Sequence, residues 1–148
     1  MTVEDQHSLG RAIVQMARTH KYAAQLLLQK LGLHPGQDFL LLLLDRVGET
    51  RLTTLSEHLE VQPPTASKMV ARLEKEGFLE RIPDPTDTRA TLICLSPAGK
   101  ALIPQIVEVW DELEKLTVQG LSQAEIMLLN RMFKQITQNL GEPPGGFC

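Results

Sequence analysis

The sequence has only two cysteines among its 148 residues, Cys94 and Cys148. Two cysteines cannot form a disulfide framework, and their spacing is not that of a metal site. His20 lacks a second ligand at helical spacing, so packing is its expected role, and His34 also stands alone. We therefore expect no metal and no cofactor, and a reducing cytoplasm is the expected location.

Long apolar runs are also missing. The longest, Phe39–Leu44, is far shorter than the roughly 20 residues that a membrane-spanning helix needs. The N-terminus, MTVEDQHSLG, has no basic region followed by an apolar core, so it does not predict a signal peptide. No membrane partner is expected.

Positive charge and aromatic residues are scarce. The net charge of −3 argues against a nucleic-acid binder that depends on overall charge, but a sequence-specific binder needs only a few cations on one face. One tryptophan and one tyrosine argue against stacking platforms for single strands. The sequence also shows no nucleophile–base arrangement and no glycine-rich phosphate loop, so an enzyme is not expected.

The most informative stretch is a short helix with two different faces, predicted over Pro63–Gly77. Its apolar stripe recurs at i, i+3, i+4 and i+7 and consists of Ala66, Met69, Val70 and Leu73. Its outer face is small or hydroxylic in front and cationic along its length, with Pro64, Thr65, Ser67, Lys68, Ala71, Arg72 and Lys75. Such a face suits the DNA major groove. An ordinary solvated surface helix is the alternative interpretation.

Three helical segments precede this one. Apolar spacing predicts a long helix from about Glu4 to Leu31. A second helix is predicted over 35–47, and because its segment Phe39–Leu44 is apolar on every side, it is expected to be central and buried all round. A short extended piece over Thr50–Thr53 is expected to pair as a minor strand. Thr54 and Glu57 match a capping box, which places a third helix start near Thr53 or Thr54. With a turn before Pro63, the third helix and the two-faced helix form a helix-turn-helix.

After Gly77 the periodicity changes to two. Strands are predicted over Phe78–Ile82 and Thr91–Leu95, joined by a polar loop over Pro83–Thr88, which makes a hairpin, or wing. Asp87 lies two residues from Arg89, a spacing that lets a carboxylate fix the direction of a guanidinium. A structural ion pair that only stiffens the hairpin is the alternative. Cys94, in the second strand, is expected to be an inert thiol.

The remaining chain is helical. Ser96-Pro97 begins a fifth helix, and a capping box at Ser122–Glu125 begins a sixth that ends at Gly141. Apolar stripes on the terminal helices predict a two-fold homodimer. The predicted fold is mainly α with a small β-hairpin wing. Its regions are 1–34 and 97–141 for dimerisation, 35–96 for a winged helix-turn-helix, and 142–148 as a flexible tail.

Two motifs together make the chain resemble the MarR family of transcriptional regulators over roughly residues 5–141. They are LSEHLEVQPPTASKMVARLEKEGFLER and DPTDTRATLICLSPAGK, the second containing the Asp-x-Arg pattern at Asp87–Arg89. The resemblance implies a homodimer that binds double-stranded DNA at a pseudo-palindromic operator, usually near its own promoter. A cysteine near the start of the first helix, which peroxide-sensing members use, is absent from this sequence.

The resemblance also assigns roles by position. Asp87 would orient Arg89, which is left as the main wing contact because the wing has few cations. Lys68, Arg72 and Lys75 are the best candidates for phosphates or guanine edges, and Thr65 and Ser67 could bond bases or backbone. The expected DNA-binding residues are Gln62, Pro64, Thr65, Ser67, Lys68, Arg72, Lys75, Thr86, Thr88 and Arg89.

By the same resemblance, a small aromatic or anionic molecule would release the protein from DNA. Candidate pocket residues are His20, Tyr22, Phe39 and Trp110, for each of which plain core packing is the alternative. A rival interpretation of the whole chain is a winged-helix module that binds protein rather than DNA.

Overall fold

The structure, a computed structural model, describes residues 8–141. Cys148 and the predicted tail at 142–148 lie outside the described residues. The described residues form six helices and three strands, as the sequence predicts in kind and order. They are α1 (Ser8–Gln29), α2 (Gln37–Val47), β1 (Glu49–Thr50), α3 (Leu52–Leu59), α4 (Pro63–Lys75), β2 (Leu79–Asp84), β3 (Asp87–Leu95), α5 (Pro97–Val118) and α6 (Gln123–Leu140).

Helix α2 is the centre of the hydrophobic core. Leu40, Leu41 and Leu44 are fully buried and pack among residues of α1, α3, α4, the sheet and α5. The prediction that this helix is buried on every side is wrong on one side, where Phe39 is 40% exposed. The ring of Phe39 is only partly covered there, by the ring of Trp110 on α5, and the two ring centroids lie 5.6 Å apart.

Helix α3 begins at Leu52, before the predicted capping box. The carbonyl of Arg51 already accepts the backbone N–H of Leu55 at 2.9 Å, so Thr54 and Glu57 lie inside the helix. Arg51 is the N-cap residue, and its side chain makes no capping hydrogen bond. The capping-box prediction at Thr54 is therefore wrong, although the helix itself is present.

The three strands form one antiparallel sheet in the order β1–β3–β2. Strand β1 has only two residues because α3 starts at Leu52, so the predicted extended piece over 50–53 overlaps it at Thr50 alone. Strands β2 and β3 are longer than predicted and leave only Pro85 and Thr86 as the turn, with a register shift at Pro83–Asp84. The wing is thus a tight hairpin rather than a six-residue loop.

The start of α5 is fixed against the base of this hairpin. The Ser96 hydroxyl accepts the N–H of Gly99 at 3.0 Å and donates to the carbonyl of Gly77 at 2.5 Å. A side chain at position 99 would overlap the carbonyl group of Phe78, so only glycine fits there. The contact holds the end of α4, the wing and α5 in one arrangement.

Helix α6 has no buried residue. Its predicted capping box is confirmed, because Ser122 and Glu125 satisfy each other's backbone N–H groups at 3.3 and 2.7 Å.

Large apolar side chains are exposed on α1, α5 and α6, namely Leu9, Val14, Met16, Leu26, Val107, Leu116, Met127, Leu128, Met132, Phe133 and Leu140. Over residues 8–141, no helix has the length and apolar character needed to cross a membrane.

Candidate nucleic-acid interface

Helix α4 presents the predicted reading face to solvent. Ala66, Val70 and Leu73 are fully buried, which fixes the rotation of the helix about its axis. Met69 and Ser67 are half-buried. The other predicted reading residues are all exposed: Gln62, Pro64, Thr65, Lys68, Arg72 and Lys75.

The side chains at the N-terminal end of α4 are small, and their polar groups remain available to an outside partner. The carbonyl of Gln62 accepts the backbone N–H groups of Thr65 and Ala66 at 2.9 and 3.1 Å, and Pro63 and Pro64 have no N–H to satisfy. The helix start therefore needs no side-chain cap, and Gln62 provides none. Within residues 8–141 the amide of Gln62 is thus left for an outside partner.

Two ion pairs neutralise the carboxylates near the end of α4. Glu76 accepts from Nε of Arg72 at 3.3 Å, one helical turn away. Glu74 accepts from Nε of Arg81 at 2.6 Å and so links the helix to strand β2. In the part of the chain that the structure describes, Lys68 and Lys75 have no ion-pair partner. Their positive charge is therefore uncompensated along the exposed face.

The wing turn is built around the carboxylate of Asp84. It accepts the hydroxyl and the backbone N–H of Thr86 at 2.7 and 2.8 Å, and Nε of Arg51 at 2.8 Å. These hydrogen bonds, those of Thr86 foremost, hold the pKa of Asp84 at about 2. The anchor ties the wing tip to the start of α3.

Sequence reasoning missed both Arg51 and Asp84. The spacing of Asp84 and Thr86 is typical of a turn in which the aspartate bonds the backbone two residues on, so it offered a signal. Arg51 offered none, because it lies 33 residues from its partner.

Asp87 does not hold the guanidinium of Arg89. Its carboxylate accepts the backbone N–H of Arg89 at 3.0 Å. This bond leaves the long arginine side chain free to move, whereas a bond to the guanidinium would have to order it. The predicted contact through the guanidinium is corrected to a backbone contact. Among the described residues the guanidinium of Arg89 has no partner. It is exposed, as are Thr86 and Thr88.

Strand β3 also carries Cys94, which is half-buried with its Sγ 3.8 Å from the carbonyl oxygen of Glu80. Burial, followed by the nearby charges of Glu80 and Glu49, raises the pKa of its thiol. A protonated thiol is a poor nucleophile. Within residues 8–141, no group of three or more His, Cys, Asp or Glu side chains is placed to hold a metal ion.

A cavity of about 420 Å³ lies between α1, α2 and α5. It brings together three of the four predicted pocket residues, His20, Phe39 and Trp110. Tyr22 is 60% exposed and does not line this cavity, because its position on α1 turns it away from α5. Asp38, which sequence reasoning did not select, also lines it.

Comparison with known proteins finds one family and several relatives. The MarR family model matches residues 33–91, which span α2 to the start of β3. The HTH-type transcriptional repressor IacR of Pseudomonas putida is 30% identical over 128 residues, covering 84% of this chain and 77% of IacR.

Solved structures share the fold. A cysteine-to-serine mutant of MarR from E. coli, in complex with operator DNA, superposes with a TM-score of 0.75 at 23% identity, covering 92% of this chain and 98% of that one. A structure describing the regulation of DNA binding of Bordetella bronchiseptica BpsR by 6-hydroxynicotinic acid has a TM-score of 0.71 at 22% identity, covering 88% and 98%.

Proposed function

The chain belongs to the MarR family of DNA-binding transcriptional regulators, and from this premise we propose that it is a homodimeric repressor released from its operator by a small molecule. Members of this family are transcription regulators rather than enzymes. The observation that carries the proposal is the exposed face of α4, on which Lys68 and Lys75 are uncompensated. A protein that regulates transcription works where the chromosome is, which supports the expected cytoplasmic location.

Each subunit places α4 in the major groove and its wing beside the adjacent minor groove. Lys68 and Lys75 contact phosphates, and Arg72 contacts a phosphate or a guanine edge. At the front of the helix, Gln62, Pro64, Thr65 and Ser67 allow close approach and hydrogen bonding. On the wing, Thr86, Thr88 and Arg89 meet the backbone or the minor groove. The related MarR structure in complex with operator DNA supports double-stranded DNA as the partner.

The second copy covers the exposed apolar faces of the terminal helices. A groove of about 500 Å³ between α1 and α5 is lined mainly by apolar residues, among them Met16, Leu113 and Leu116. The apolar side of α6 has no buried residue within the described part of the subunit and has a matching character. We assign residues 1–34 and 97–141 to dimerisation and 35–96 to the reading head, with half-sites about one helical turn apart.

The proposed repression and its release by a small molecule are based on two relatives. IacR is a repressor, and 6-hydroxynicotinic acid regulates DNA binding of BpsR. The cavity lined by His20, Phe39 and Trp110 touches both the dimerisation helices and α2 of the reading head. A ligand there changes the angle between the two regions and hence the spacing of the two α4 helices.

The test is fluorescence anisotropy of the full chain with labelled DNA from upstream of its own gene, over a salt series. We expect Lys68→Ala to weaken binding to all DNA and to reduce the salt slope by about two, since the dimer loses one phosphate contact in each half-site. Arg72→Ala should weaken operator binding by about 1–3 kcal/mol for each half-site if it reads a base. Lys115→Ala, which removes an exposed charge of the same sign from α5, is the matched control.

Two outcomes contradict the proposal. Equal effects of Lys68→Ala and Lys115→Ala would mean that α4 is not the reader. Absence of salt-dependent binding would favour the rival function, a winged-helix module whose α4 docks on protein. A panel of small aromatic acids added to the DNA complex then tests release.

A further inference from the structure

The side chain of Arg51 is held in a fixed direction by a carboxylate that solvent barely reaches. Its Nε and Nη2 both donate to Oδ2 of Asp84, at 2.8 and 2.5 Å. The other oxygen of that carboxylate, Oδ1, accepts the backbone N–H and the hydroxyl of Thr86. Both oxygens of Asp84 are therefore engaged, and the arginine side chain is ordered before any ligand arrives.

The guanidinium of Arg51 nevertheless keeps one edge open. The contact with Asp84 uses the edge formed by Nε and Nη2, whereas the edge formed by Nη1 and Nη2 has no acceptor among residues 8–141. The side chain of Arg51 is 44% exposed and that of Asp84 only 5%. The pair thus buries its negative member, and its positive member faces solvent with unused N–H donors.

This open edge lies between two elements that both approach DNA in a winged helix-turn-helix. Arg51 is the N-cap residue of α3, and the first helix of such a motif crosses the DNA backbone while the second enters the major groove. Its partner Asp84 also holds Thr86 in the wing turn, so the guanidinium lies beside the wing tip. A single sugar–phosphate strand separates the major groove at α4 from the minor groove at the wing. A cation at this place therefore meets phosphate rather than base edges.

We propose that Arg51 is a DNA-binding residue whose open edge donates to a backbone phosphate, and that Asp84 is its positioning residue. A guanidinium edge and a phosphate match as two parallel N–H···O bonds. Because Asp84 already orders the side chain, little conformational freedom is lost on binding. Of the two arginines in the wing strands, Arg81 is paired with Glu74, which leaves Arg89. Arg51 therefore supplies a second cation at the wing from outside the wing sequence.

This contact rests on the proposed function for the docking of α4 and the wing, and the same anisotropy assay of the full chain over a salt series tests it. We expect Arg51→Gln to weaken binding at low salt by at least about tenfold, as the loss of a charged hydrogen bond implies. The salt slope should fall by about two, because the dimer loses one phosphate contact in each half-site. Arg131→Gln, which removes the same charge from an exposed position on α6, should leave the slope unchanged.

Asp84→Asn separates a phosphate contact from a purely structural anchor, because it breaks the same contact as Arg51→Gln but keeps the cation. Its salt slope should stay at least as steep as that of the wild type, and its affinity should fall less than that of Arg51→Gln. Arg51→Lys should also keep the slope but bind several-fold more weakly, since an ammonium cannot bond Asp84 and present a second planar edge.

Arg51→Ser guards against loss of the fold. Serine is a favourable N-cap residue, so at the start of α3 it offsets the lost contact with Asp84, and its salt slope should fall as that of Arg51→Gln does. Circular dichroism verifies that each variant is folded.

Uncharged methylphosphonate groups, placed one at a time along the backbone of the DNA segment that the protein covers, give a second measurement. One phosphate in each half-site should be coupled to Arg51. Its replacement should weaken binding of the wild type by at least about fivefold and leave the affinity of Arg51→Gln and Arg51→Ser nearly unchanged.

A wild-type salt slope in both Arg51→Gln and Arg51→Ser, or the absence of any phosphate coupled to Arg51, would overturn the inference and leave Arg51 as an anchor of the wing alone. Lys68→Ala distinguishes this failure from failure of the proposed function. If Lys68→Ala lowers the slope and Arg51→Gln does not, only the Arg51 contact is disproved. If the wild type shows no salt-dependent binding, the DNA-binding function and the contact fail together.

Discussion

At the scale of single residues, Asp84 does more for the wing than the predicted Asp87. One carboxylate joins Thr86 at the tip and Arg51 at the start of α3, whereas Asp87 bonds only a neighbouring backbone N–H. The position of the wing relative to the helix-turn-helix therefore depends on a contact between segments that are distant in sequence.

Asp84→Asn should weaken this anchor and make the thermal stability less sensitive to acidic pH. The pKa of Asp84 is about 2 in the folded chain, below its ordinary value of 3.8. The folded state therefore favours the ionised form, and the stabilisation is complete above about pH 4 and is lost as the pH falls toward 2. Thermal unfolding of both proteins across this window should show a steeper loss for the wild type.

Asp87→Asn is the control for that experiment, because its side chain can still accept the N–H of Arg89. If the melting temperatures of the wild type and Asp84→Asn fall in parallel as the pH is lowered, the charge of Asp84 contributes nothing to stability.

Gly99→Ala should destabilise the fold by about 1–3 kcal/mol, the usual effect of overpacking. A Cβ at this position overlaps the carbonyl group of Phe78, and backbone cannot move aside as a flexible side chain can. Gly10→Ala is the matched control, since nothing lies within 4 Å of its added Cβ inside α1. That change should be neutral or stabilising by up to about 1 kcal/mol. Equal denaturation midpoints for the two variants would contradict this account.

At the scale of elements, local signals predicted the helices well and their exact starts less well. Ser122 and Glu125 form the predicted capping box because nothing outside α6 competes for that turn. The same pattern at Thr54 failed because the backbone of Arg51 already begins the helix, and its side chain is held by Asp84. A contact across 33 residues is not visible in a local pattern.

In the candidate site, too, local patterns predicted some features and could not predict others. The stripe Ala66, Val70 and Leu73 predicted which face of α4 is exposed, because helical periodicity determines it. The Arg51–Asp84 contact and the burial of Asp38 depend on packing between distant segments, which periodicity does not contain.

Removing one carboxylate from the end of α4 should strengthen DNA binding. In Glu76→Gln the guanidinium of Arg72 loses its partner one turn away and becomes free to meet DNA. Exposed pairs of this spacing are worth about 0.3–0.5 kcal/mol, so we expect roughly a twofold gain in affinity for each half-site at low salt, and about three- to fivefold for the dimer. The gain should shrink as salt is added.

Glu57→Gln on α3 provides a control with the same change of charge, because Glu57 has no ion-pair partner within residues 8–141. An equal gain from Glu57→Gln would assign the effect to overall charge rather than to Arg72.

At the scale of the whole molecule, the exposed apolar side chains of α6 require a covering surface. Phe133→Glu places a charge on that face and should convert a dimer into a monomer, measured by light scattering after size exclusion. Operator affinity should fall with it, because two linked half-sites are lost. Gln135→Glu adds the same charge at an exposed position on the opposite side of α6 and should leave the mass unchanged. A dimer that survives Phe133→Glu would move the interface elsewhere.

Because α6 has no buried residue within its own subunit, the proposed dimer would make its folding depend on a bimolecular equilibrium. Dilution should therefore lower the melting temperature of the free protein, and cells with few copies should hold part of the chain as weakly structured protomers open to proteolysis. A regulator that represses its own gene would then have a lower limit on its copy number, set by the dissociation constant of the dimer.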